Sequence, residues 1–118
     1  MNVPVRLDRK KCQPCEGMKN PYALREADER LKNVTDWELH KNGKVIYRKY
    51  VTKNFSAAIN FINKVAALAE SEGHHPDFHL TGYRKLRIDL STHAIGGLSE
   101  NDFIVAAKIN KLPVELKE

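Results

Sequence analysis

Apolar residues recur at three- and four-residue intervals through Phe55, Ala58, Ile59, Ile62, Val65, Ala66 and Ala69, while Asn60, Asn63 and Lys64 fall largely on other faces. That period predicts an amphipathic helix. Gly73 is placed to end it in a left-handed conformation, which delivers His74 and His75 just past the helix C-terminus. On both sides the pattern shortens to period two. Segments 37–41 and 45–51 are rich in aromatic and β-branched residues, and Asn42-Gly43 between them predicts an antiparallel hairpin. A third strand is expected within 78–83 and a fourth within 86–92, with Gly82 near the turn. In the fourth, Leu86, Ile88 and Leu90 point one way and Arg87, Asp89, Ser91 and His93 the other.

Two further helices frame these elements. Asn20 and Pro21 suit an N-cap and first helical position for a helix over 22–31, with Ala23, Leu24, Ala27 and Leu31 as its apolar stripe. Ser99-Glu-Asn-Asp102 approximates a capping box that opens a last helix through about Asn110, buried through Phe103, Ile104 and Ala107. Pro113 stops it. The order helix, hairpin, helix, hairpin, helix predicts an α+β fold: a four-stranded antiparallel sheet with about three helices packed on one face. A sheet with open edges on so small a chain favours self-association, because pairing edges or burying a helix face adds core.

The chain has 118 residues, 42% of them hydrophobic, which fits one domain, taken as 21–118 after a basic arm over 1–20. No apolar stretch approaches the roughly 20 residues needed to span a bilayer, and the N-terminus has no apolar signal core, so a soluble cytoplasmic protein is expected. The net charge of +5 raises nucleic-acid binding. However, residues 1–20 carry Arg6, Arg9, Lys10, Lys11 and Lys19 against Asp8 and Glu16, a net +3 of that total, and the rest is nearly balanced. Nucleic acid is therefore not the expected partner, and the arm is read as solvated. Cys12-Gln-Pro-Cys15 has the spacing of half a zinc site or a redox dithiol, but no second such pair exists to complete four ligands.

The candidate chemistry lies in histidines. Imidazole gives and takes protons near neutral pH, and His74-His75 at a helix exit with His93 at a strand end can share one polar substrate. Pro76 restricts His75 to an extended backbone, and Gly96-Gly97 after His93 lets a ligand approach the chain. Glu70 and Asp77 are candidate carboxylates to orient the rings. His40 and His79 are left out, and a metal reading of His75, Asp77 and His79 lacks further ligands. With no Gly-rich phosphate loop or nucleophile elbow, cofactor-free proton transfer remains: elimination, hydration or tautomerisation.

These residues resemble the pterin-4a-carbinolamine dehydratase family. The likeness rests on Glu70-Ser-Glu-Gly-His74-His75-Pro76, on Ser91-Thr92-His93, and on Gly97-Leu98-Ser99 opening the last helix, and it spans roughly 21–111. The resemblance implies a hydro-lyase that dehydrates 4a-hydroxytetrahydropterin to quinonoid dihydropterin without metal or nucleotide, in recycling of a tetrahydrobiopterin-type cofactor. It implies His74 and His93 as proton-transfer groups and His75 as mainly holding the pterin, with Glu70, Pro76, Asp77, Phe78, Ser91 and Thr92 as binding residues. Gly73 and Phe78 depart from the animal-type pattern, which has an acidic residue and Trp there. The resemblance also implies a homodimer or homotetramer, and the alternative implied by some relatives is a non-catalytic dimerisation module for a transcription factor.

Overall fold

The computed structural model describes residues 7–14 and 20–118. After a 3-10 turn at Leu7–Arg9, the elements run α1 (Leu24–Leu31), β1 (Glu38–Leu39), β2 (Ile46–Val51), α2 (Phe55–Glu72), β3 (Asp77–Thr81), β4 (Lys85–Leu90), a 3-10 turn at His93–Ile95, and α3 (Glu100–Ile109). The sheet order is β1-β2-β4-β3, antiparallel throughout. The α+β expectation holds.

Register divides the sheet into two unlike faces. Ile46, Leu90, Tyr50, Leu86 and Ile88 are buried under the helices. Tyr47, Lys49, Val51, Lys85, Arg87 and Asp89 alternate to the open face. Fully covering a Leu or Ile side chain contributes about 1.5–3 kcal/mol. Across the core, Phe61 of α2 meets Tyr50 with ring centroids 5.0 Å apart.

Several boundaries differ from the sequence expectations, each for a tertiary reason. Helix α1 starts at Leu24 rather than 22, because Tyr22 donates its N–H to Leu98 O (2.8 Å) and Pro21 lies against Gly97, which keeps the approach extended. Leu24, assigned to the buried stripe, is exposed. Strand β1 is only two residues, since Trp37 turns inward to donate to Asn110 Oδ1 (2.9 Å) and His40 N–H bonds Val45 O to close the loop. In that loop only Gly43 takes positive φ. On α2 the buried line is Ala57, Ala58, Phe61, Val65 and Ala69, whereas Phe55 is exposed and Ile59, Ile62 and Ala66 are half-buried. Apolar residues cover so much of this helix that period alone did not select the inward line.

Helix α3 shows the largest difference. Its residues Asn101–Ala106 and Ile109 are all buried, more than one stripe. The reason is the N-terminal segment: Leu7 and Cys12, expected to be solvated, belong to the core, and the segment packs against α3. Cys15 lies outside the described residues, so the Cys12-x-x-Cys15 pairing does too.

Candidate active site

Two helix ends meet at one carboxylate. Gly73 adopts φ +66°, its N–H bonds Glu70 O (3.3 Å), and the His74 N–H bonds Ala69 O (3.2 Å). This pair of bonds is the Schellman arrangement that terminates helices. It folds the chain back across the end of α2 and turns His74 inward, where it is 6% exposed.

From the other side, Ser99 caps α3, and Asp102 in the first turn accepts the Ser99 backbone N–H through Oδ2 (3.0 Å). A carboxylate suits the partial positive charge there. The same Oδ2 accepts the Thr92 hydroxyl (2.8 Å), and Thr92 Oγ1 lies 2.7 Å from Ser99 Oγ. Oδ1 is thus left for His74, whose Nε2 approaches to 2.6 Å.

Donor counting orients this network. Ser99 N–H and Thr92 O–H fill Oδ2, so the hydroxyl of Ser99 donates to Thr92 and its oxygen accepts the Asn101 N–H (3.3 Å). Facing a carboxylate oxygen, Nε2 of His74 carries hydrogen, which leaves the lone pair of the neutral ring on Nδ1. Thr92, Ser99 and Asp102 are all buried, so these bonds form away from water, where an unmade one costs about 1–3 kcal/mol.

The remaining candidates are spread around this centre. His75 is exposed and pairs with Glu70 at 3.0 Å, on the surface beside His74. His93 is exposed as well; it begins the 3-10 turn instead of ending the strand, and it has no side-chain hydrogen bond among the described residues. Its link to the helix exit is through Thr92, one residue earlier, which shares Asp102 with His74. Ser91 donates to Lys44 O (2.8 Å). Phe78 is half-buried against the core, Pro76 is half-buried, and Asp77 is exposed on the open sheet face. A groove of about 490 Å³ lies elsewhere, on that open face, and none of His74, His75 or His93 lines it.

Sequence reasoning read Asp102 only as a helix cap. The available signal was the Asp itself: shorter than the usual Glu of a capping box, it bonds its own cap with one oxygen and frees the other. The bracing from the N-terminal segment was also missed. Cys12 N–H donates to Glu72 Oε1 (2.9 Å), Lys108 Nζ meets Glu72 Oε2 (2.7 Å), and Asn101 exchanges two amide bonds with the Gln13 backbone (2.9 and 2.7 Å). The last turn of α2 is thereby tied to the first of α3. Burial, and then the Glu72 carboxylate, push the Cys12 thiol up to about 12. Burial opposes ionisation of Glu72 itself, but the bonds from Lys108 and Cys12 outweigh it and hold that carboxyl below its ordinary value. Among the described residues no group of three His, Cys, Asp or Glu side chains is gathered as a metal site, and no helix is long and apolar enough to cross a membrane.

A histidine–carboxylate pair lodged between two helix ends, in a fold of an antiparallel sheet with helices on one face, defines the buried polar centre of an α+β protein. The profile of the pterin 4 alpha carbinolamine dehydratase family matches residues 20–112, and the chain belongs to that family. It is 47% identical to "Pterin-4-alpha-carbinolamine dehydratase 2, mitochondrial" of Arabidopsis thaliana, over 92% of this chain and 60% of that relative's length. With a putative pterin-4-alpha-carbinolamine dehydratase of Halorhodospira halophila it shares 42% identity, over 90% of this chain and 96% of the other. Among solved structures, the transcriptional coactivator/pterin dehydratase from Brucella melitensis superposes with a TM-score of 0.70 at 31% identity, covering 77% of this chain and 96% of that one.

Proposed function

We propose that the protein dehydrates 4a-hydroxytetrahydropterin to quinonoid dihydropterin by histidine acid–base catalysis, within the recycling of a tetrahydrobiopterin-type cofactor. The observation that carries this reading is the Asp102 carboxylate, which holds His74 with one oxygen and the residue preceding His93 with the other. Family membership supplies the substrate class.

The reaction breaks the C4a–O bond and the N5–H bond, forms C4a=N5 and releases water. His74 is assigned the N5 proton, because its Nε2–H is committed to Asp102 and Nδ1 holds the lone pair. Protonated His93 is assigned the leaving oxygen, which departs as water. His75, exposed beside His74, holds the ring. Asp102 and Thr92 act through His74 as positioning residues. Each well-placed proton-transfer group contributes about 100- to 10,000-fold. No metal or nucleotide is required by these steps.

A homo-oligomer is part of the same reading. Phe55, Ile59, Ile62 and Ala66 form a partly exposed apolar line along α2 at the spacing by which helices pack together. This favours burial of that line against a second copy.

The test is stopped-flow ultraviolet decay of freshly generated 4a-hydroxytetrahydropterin. Wild-type protein is expected to accelerate it, and His93→Ala to lose about 100-fold or more of the acceleration while the exposed position leaves stability within about 0.5 kcal/mol. Decay unchanged by wild-type protein removes the enzyme assignment. Full activity in His93→Ala removes the role of that ring, and an oligomerisation role unaffected by the same change would favour a binding module.

A further inference from the structure

We propose that the open face of the sheet carries a second binding site, for a small dianion of the phosphate-ester class, centred on Lys49 and Lys85. The inference does not depend on the dehydratase reading and uses none of its residues.

The sheet register sorts charge into rows. Across β2, β4 and β3, Lys49, Arg87 and His79 stand directly opposite one another, and the next row outward is Val51, Lys85 and Thr81. The row on the other side holds Glu38, Tyr47, Asp89 and Asp77. Like charges set opposite each other across strands destabilise a sheet, and alternation would have avoided it. The Lys49–Arg87–His79 row and the Val51–Lys85–Thr81 row instead wall a 490 Å³ groove, with lysine stems and Val51 as its apolar sides. A cavity of that size suits a small molecule.

Asp89 neutralises part of this charge. It takes Arg87 through two bonds (2.8 and 2.9 Å) and His79 Nε2 at 3.2 Å. Lys49 and Lys85 have no carboxylate partner among the described residues, and the Thr81 hydroxyl stands beside Lys85. Two ammonium groups with no carboxylate partner among the described residues and a hydroxyl around an apolar-walled groove match a phosphate monoester, which is a dianion above about pH 7 because its second pKa is about 6. A long polyanion fits less well. It would cross the acidic row, and Tyr47, the aromatic residue of this face, already carries Lys49 and Arg87 at 5.8 Å each, whereas strand-tracking sites offer successive free rings.

The test uses the full-length 15N-labelled protein titrated with phenyl phosphate at low ionic strength, with phenol, inorganic phosphate and a short single-stranded oligonucleotide in parallel. Phenyl phosphate is expected to shift amides within 47–51 and 79–87, and phenol to shift none. Lys49→Gln and Lys85→Gln should each weaken binding about fivefold, the scale of one exposed charge pair. Asp89→Asn, which releases Arg87 and removes a negative charge, should tighten it, an effect that loss of folding cannot imitate. Inorganic phosphate binding as well as the ester would assign the same site to free phosphate. The proposal is overturned by no shift at about 10 mM ester, by affinity indifferent to both lysines, or by tighter binding of the oligonucleotide through them.

Discussion

Replacing Asp102 by asparagine changes one atom and should stop catalysis without emptying the site. The Ser99 backbone N–H and the Thr92 hydroxyl both donate to Oδ2, at 3.0 and 2.8 Å. An amide nitrogen cannot occupy that position, since the Ser99 N–H has no means of becoming an acceptor. The asparagine oxygen must therefore stay there and its NH2 must face His74, 2.6 Å from Nε2 in the native arrangement. Nε2 then has to accept, the ring proton moves to Nδ1, and the lone pair assigned to the substrate's N5 proton is gone. The expected stability loss is about 1–3 kcal/mol, for one charge-assisted bond exchanged for a neutral one in a buried site. The expected loss of rate is about 100- to 10,000-fold. Two measurements check this: stopped-flow decay of the 4a-hydroxy substrate, and the 15N chemical shifts of the His74 ring, which distinguish the tautomers. An Asp102→Asn protein that keeps hydrogen on Nε2, or that turns over at the wild-type rate, refutes the reasoning. Asp102→Ala is the poorer test, because it strands three buried donors at once.

Two other perturbations follow from the same structure. Ile59→Glu, on the partly exposed line of α2, should convert an oligomer to monomer in analytical ultracentrifugation and lower the thermal midpoint, because the interface no longer adds stability, while the far-ultraviolet circular dichroism of the folded subunit is kept; an unaltered sedimentation coefficient would show that α2 is not the contact. Cys12 is held protonated to about pH 12 by burial and Glu72, whereas the thiol of the unfolded chain ionises near 9.0. A raised folded value contributes stability that is complete below about pH 9 and declines as pH rises toward 12, by about 1.4 kcal/mol per unit. In urea titrations the stability gap between wild type and Cys12→Ala should therefore move against the wild type by that slope above pH 9, and a gap independent of pH would contradict it.

The sequence alone determined the elements whose signals are local. Gly73 and Ser99 stand at helix ends because backbone freedom at the one and the side chain of the other satisfy groups within a few residues. The alternation of Leu86, Ile88 and Leu90 with Arg87 and Asp89 fixed which way β4 faces, since a strand's period leaves only two choices. The same locality made His74, His75 and His93 visible as candidates. Only tertiary structure decided that α2 turns Phe61 inward and Phe55 outward, that Leu7 and Cys12 complete the core over α3, and that Asp102 serves His74 as well as its own helix cap. Each of those depends on what lies across a gap of tens of residues. Periodicity constrains one chain segment at a time, whereas a buried polar atom takes its partner from whichever segment packing brings within hydrogen-bond reach.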